Sequence, residues 1–109
     1  RAMAAAGEVV RNGILPWLSM WARCELIEAA ARAGDLELAR NALDGLVATT
    51  RPAGSCLAIG VEARCRALLD GANAEPSYRL AIDQLGRSGN RTELGRGHLL
   101  FGEWLRRED

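Results

Sequence analysis

The 109 residues predict an all-α chain, built from antiparallel helical hairpins stacked as a short α-solenoid of about six helices. Three observations carry this expectation. The commonest apolar residues are Ala and Leu, which lose little conformational freedom in a helical backbone. β-branched residues are too sparse to favour a sheet. Short polar turns recur along the chain, and apolar residues between them return at spacings of three and four. A closed helical bundle is the alternative architecture.

The Ala-rich residues 1–11 predict a first helix, stopped near Asn12 and Gly13. A second is expected over 15–33, with Pro16 in the first turn, where a missing N–H is harmless. Its apolar stripe is Leu15, Leu18, Ala22, Leu26, Ala29 and Ala33, and Gly34 supplies the stop. Asp35 is a natural N-cap for a third helix over 36–49, with a stripe of Leu36, Ala39, Leu43, Leu46 and Val47. The stretch "TTRPAGS" is expected to break it. Gly54 or Ser55 starts a fourth helix, which ends at Asp70 and Gly71. Pro76 opens a fifth, through Ser88 and Gly89. Asn90 with Glu93 has the spacing of a capping box for the sixth, which runs to the end.

Two of these segments echo each other. "ARNALDGL" aligns with "YRLAIDQL", setting Ala42 on Ala81, Asp44 on Asp83 and Leu46 on Leu85. The stops Gly34 and Gly71 correspond at nearly the same offset. Helix pairs recurring at roughly 34 to 45 residues are a mark of α-solenoids. In the last helix, Gly95, Gly97 and Gly102 are each unfavourable by about 1 kcal/mol against Ala. Close approach of neighbouring helices would explain them. Leu94, Phe101 and Leu105 form one stripe there and Leu100 and Trp104 another, as expected of an interior helix.

Basic and acidic residues number 14 each, so no cationic excess exists to neutralise phosphates or an anionic membrane. All the basic residues are Arg, scattered along the chain. Cys24, Cys56 and Cys65 lack C-x-x-C spacing, and His98 is the only histidine, so no structural zinc site is expected. Buried thiols in a reducing cytoplasm are expected. No apolar run reaches membrane-spanning length. A chain of this size is a single domain, and its start at Arg1 is expected of a scaffold fragment excised from something longer.

Candidate functional side chains are few. His98 is expected to be a hydrogen-bonded packing residue, since general acid–base work needs a positioned partner and only Glu103 is near. Glu103 and Arg107 suit a helix-surface ion pair. Glu25 and Glu28 lack the Glu-x-x-His companion of a di-metal site and read as a solvated face beside Arg32. Trp17 and Trp21 are expected to pack in the core or between hairpins. No catalytic, cofactor-binding or metal-ligating residue is assigned, and no enzyme activity is expected.

The closing stretch "ELGRGHLLFGEWLRRED" (93–109) resembles the "ELARxxLxxGEWLRR" signature in the helical region of large ATP-binding LuxR-type transcriptional regulators, the MalT-like group. "EAAARAGDLELARNALDGL" (28–46) looks like an earlier hairpin of the same family, and "ARCRALLDG" with "YRLAIDQLGRSG" fits the hairpin between. The chain differs at Gly95 and Gly97, where the family usually has Ala. The resemblance implies a tetratricopeptide-like repeat region that receives a protein partner or small inducer. In the family this region joins an ATPase module to a DNA-binding helix-turn-helix domain. ATP and DNA would then be handled elsewhere in the parent protein, with no cofactor, nucleic acid or membrane contact by this segment. Homodimerisation through exposed terminal helices is also expected. A stand-alone tetratricopeptide-like adaptor is the alternative.

Overall fold

The computed structural model describes residues 16–108, with side chains from Met20 onward. The described residues form an all-helical protein with five α-helices and no strand. These are α1 (Pro16–Arg32), α2 (Leu36–Ala53), α3 (Cys56–Ala67), α4 (Glu75–Ser88) and α5 (Arg91–Glu108), with a 3₁₀ turn at Gly71–Asn73 between α3 and α4. The helix expected over residues 1–11 lies outside the described residues.

Local chemistry sets the boundaries. The Asp35 side chain accepts from the Leu38 N–H at 3.1 Å, and Ser55 Oγ accepts from the Ala58 N–H at 3.1 Å. Both are N-caps that satisfy an orphan amide of the first turn. Gly34 and Gly54 close the preceding helices in the left-handed region. The helix α2 runs past the expected break, because Pro52 lies in its last turn and Gly54 bonds back to the Thr50 carbonyl. A proline so close to the end removes one helical bond without turning the chain. At the start of α5 the capping box is half made. Asn90 Oδ1 accepts from the Glu93 N–H at 3.0 Å, but Ser88 Oγ takes the Asn90 N–H. The Glu93 carboxylate is thereby free to reach another helix.

Each helix packs on its sequence neighbour, and α1 also touches α3. The main core gathers Cys24 and Ile27 from α1, Leu43 and Leu46 from α2, Val61 and Cys65 from α3, and Ala81 and Leu85 from α4. A second cluster, around Tyr78, Leu100 and Trp104, seals α4 to α5. There Tyr78 stacks on Phe101 with ring centroids 5.3 Å apart, and Trp104 Nε1 donates to the Gly71 carbonyl at 2.8 Å.

The matched positions behave alike. Ala42 and Ala81 are buried, Leu46 and Leu85 are fully buried, Asp44 and Asp83 face solvent, and Gly34 and Gly71 both have positive φ.

Several expectations about faces are overturned. On α1 the buried residues are Cys24, Ile27, Glu28 and Ala30, whereas Leu26 of the expected stripe is 44% exposed. Alanines on every side leave that helix almost without an apolar direction, so the one large branched residue facing α2, Ile27, decides the face. Leu36 is exposed on α2. On α5 Gly97, Leu100 and Trp104 are buried, and Leu94 and Phe101 of the other expected stripe pack half-buried against the two cores, while Leu105 of that stripe is exposed. A Cβ at Gly95 or Gly102 would meet nothing within 4 Å, so close approach does not explain these glycines. Gly97 is in ordinary contact with Leu85, at 3.4 Å. The tight approach is at Gly60 on α3, where a Cβ would lie 2.7 Å from Leu85 Cγ.

Candidate functional site

Two arginine–carboxylate bridges join helices that are distant in sequence, and both end on α5. Arg64 on α3 is one of the most deeply buried side chains, at 2% exposure. Its Nη1 bonds to the Glu93 carboxylate and, at 3.4 Å, to the Glu93 carbonyl. Its Nε has no partner among the described residues. Burying a guanidinium is tolerable only when the charge is matched, and the carboxylate freed by the half-made capping box supplies the match.

Arg96, one turn further along α5, reaches α1. Its Nε donates to Glu28 Oε2 at 2.9 Å, and its Nη2 donates to Glu28 Oε1 at 2.6 Å and to Glu25 Oε2 at 3.1 Å. Glu28 is 4% exposed. The bond to Glu28 raises the affinity of Arg96 for its proton above the ordinary arginine value. Fork-to-carboxylate pairing of this kind gives direction as well as attraction.

Cys24 and Cys65 are both buried and free. The Cys65 thiol is pushed up by its hydrogen bond with Cys24 and by burial. Cys24 is lowered, first by that same bond and then, against the opposing effect of burial, by the Arg64 charge. Cys24, Arg64 and Glu93 line a cavity of only about 10 Å³, the lower limit for one water molecule. Met20, Trp21, Leu57 and Val61 complete its lining, and it has no room for a substrate.

An open cleft lies on another part of the surface, where the end of α1 meets the end of α5. Arg32, Glu103, Arg106 and Arg107 line a hollow of about 520 Å³. It adjoins one of about 340 Å³ whose walls include Arg32, Glu103, Arg107, Tyr78 and Leu100. Burial raises the Tyr78 phenol above its usual range, opposed in part by Arg107.

The sequence-derived candidates fare unevenly. Glu25 and Glu28 are not a solvated face beside Arg32; they clasp Arg96. Glu103 and Arg107 form no ion pair, although both border the cleft. His98 is exposed and makes no hydrogen bond among the described residues, because the buried face of α5 passes through Gly97 and Leu100 instead. Trp21 is 47% exposed rather than packed in the core, and the Trp17 side chain lies outside the described residues. Among the described residues no group of His, Cys, Asp and Glu could hold a metal ion, and no helix is long and apolar enough to cross a membrane.

Sequence reasoning missed Arg64 and Arg96 altogether. A signal existed for Arg64, which falls three residues after Val61 on the apolar stripe of Ala58, Val61 and Cys65. None existed for Arg96, whose partners are 68 and 71 positions away.

No family model, curated protein or solved structure matches the chain.

Proposed function

We propose that the chain is a helical-repeat segment of a LuxR-type transcriptional regulator, folded as a short tetratricopeptide-like solenoid. It would take up a protein partner or small effector and pass the change along the helical array, with ATP and DNA bound elsewhere in the parent protein. No catalytic step is assigned to it. The observation that carries this reading is the Arg96 bridge to Glu25 and Glu28, which ties the first hairpin to the last helix. A signal can shift an equilibrium between packed arrangements only if distant helices share one energetic unit. Support also comes from the matching environments of Ala42 with Ala81 and Leu46 with Leu85, as repeats require.

The arginine-lined cleft favours the second reading, a stand-alone adaptor that captures peptide segments. Translating the genomic reading frame on both sides distinguishes the two. A phosphate loop upstream and a helix-turn-helix downstream are expected, and an open reading frame with neither would overturn the regulator assignment. Exposed Leu99 and Leu105 on α5 support self-association through that helix, read by light scattering as a mass that rises with concentration.

A further inference from the structure

Among the described residues, Arg51, Arg64, Arg66, Arg79, Arg87 and Arg96 each meet a carboxylate. Arg23, Arg32, Arg40, Arg91, Arg106 and Arg107 have no ion-pair partner there, and three of these, Arg32, Arg106 and Arg107, border the same cleft from two different helices. Arginine near a helix C-terminus is favoured by the helix dipole, which accounts for each residue singly. It does not account for two helix ends converging on one hollow. In a chain whose charges balance overall, this cleft carries three guanidinium groups against the single carboxylate of Glu103.

The adjoining hollow is less polar. Ala31 and Leu68, both half-buried, form a small apolar strip there, beside Leu100 and Tyr78, which are buried, with the Tyr78 ring held by Phe101 and Trp104. Preorganised walls reduce the entropic cost of association. Guanidinium forks match carboxylates in a paired, planar way. Glu103, set among them, calls for a hydrogen-bond donor on the same ligand. A simple dicarboxylate offers none, and hydrogen phosphate offers an O–H but no apolar part for the strip beside it. A peptide offers all three features: side-chain carboxylates, backbone N–H groups and apolar side chains.

We infer that this cleft binds an acidic peptide segment of a partner protein. Its carboxylates would pair with Arg32 and with Arg106 or Arg107, a backbone N–H would donate to Glu103, and an apolar side chain would lie against Ala31 and Leu68. The site is open and its charges are hydrated, so binding weakens as salt rises. The inference rests on the partner-binding part of the proposed function. It is read on the chain alone, so the outcome of the reading-frame test does not decide it.

The test is fluorescence anisotropy with a fluorescein-labelled peptide of alternating leucine and glutamate, alongside its counterpart with glutamine for glutamate. Saturable binding is expected, at least tenfold weaker for the glutamine peptide. Both Arg32→Gln and the double variant Arg106→Gln/Arg107→Gln should weaken it about tenfold, with helicity by circular dichroism unchanged. Arg40→Gln, an exposed position on α2 away from the cleft, should bind as the parent does. Absence of saturable binding, or cleft variants indistinguishable from Arg40→Gln, would overturn the inference. Displacement of the peptide by glutarate or inorganic phosphate at comparable concentrations would overturn the choice of a peptide, since a small anion would then suffice.

Discussion

Arg96 grips Glu28 through two parallel hydrogen bonds, at 2.9 and 2.6 Å, across 68 positions of sequence. Glu28 is almost wholly buried while Arg96 is partly exposed. Removing the arginine therefore strands a buried carboxylate, whereas removing the carboxylate returns a guanidinium to water. Breaking a buried pair from one side is unfavourable by about 3–5 kcal/mol, and the exposure of Arg96 places this pair near the lower end. We expect Arg96→Met to lower urea-measured stability by about 3 kcal/mol. Adding Glu28→Gln should recover more than half of that. A double variant as unstable as the sum of the singles would show that the two residues act independently.

The glycines separate by what surrounds them. At Gly60 a Cβ would press on Leu85 Cγ and Cδ2, at 2.7 and 2.8 Å, and on the Leu85 backbone nitrogen at 3.1 Å. Gly60→Ala should cost about 1–3 kcal/mol through overpacking. Gly102→Ala meets open space and should stabilise by up to about 1 kcal/mol through helix propensity alone. Gly97→Ala, in ordinary contact with Leu85, should fall between them. Thermal melts of the three variants check the order, and a stabilising Gly60→Ala would refute the close packing of α3 on α4.

Thr50 and Glu62 make stability depend on acid. The Thr50 hydroxyl donates to Glu62 Oε1 at 2.6 Å, and Arg66 donates to the other oxygen at 3.1 Å. Burial opposes ionisation, but these bonds win and hold the Glu62 carboxyl below its ordinary value of 4.5. A depressed folded-state pKa contributes stability above the unfolded value, and that contribution is lost as pH falls through the folded value. Thr50→Val should remove about 1.5 kcal/mol at pH 7 and flatten the loss of stability between pH 5 and lower values. An unchanged acid dependence in the variant would assign that loss to other carboxylates.

The helices and their caps were legible in the sequence because they are local. Asp35, Gly34 and Asn90 act within one turn of themselves, and the structure uses each of them. The buried face of α2 was legible for a related reason, since Ala39, Leu43 and Leu46 contrast with charged neighbours. The face of α1 was not, because alanine fits inside or outside equally well. The two bridges were hidden more deeply. Arg96 and Glu28 look like ordinary surface charges until folding brings them together, and neither the place of Arg64 on an apolar stripe nor that of Glu93 in a capping box names its partner. The crowding at Gly60 was equally invisible, since it depends on where Leu85 of another helix lands.

The proposed relay requires that α1 and α5 belong to one cooperative unit. Hydrogen exchange followed by mass spectrometry, comparing the parent chain with Arg96→Met, tests this directly. If the Arg96 bridge couples the helices, amides in α1 and α5 should lose protection together and by similar factors. Loss of protection confined to α5, with α1 exchanging as in the parent, would contradict the coupling and with it the proposed relay.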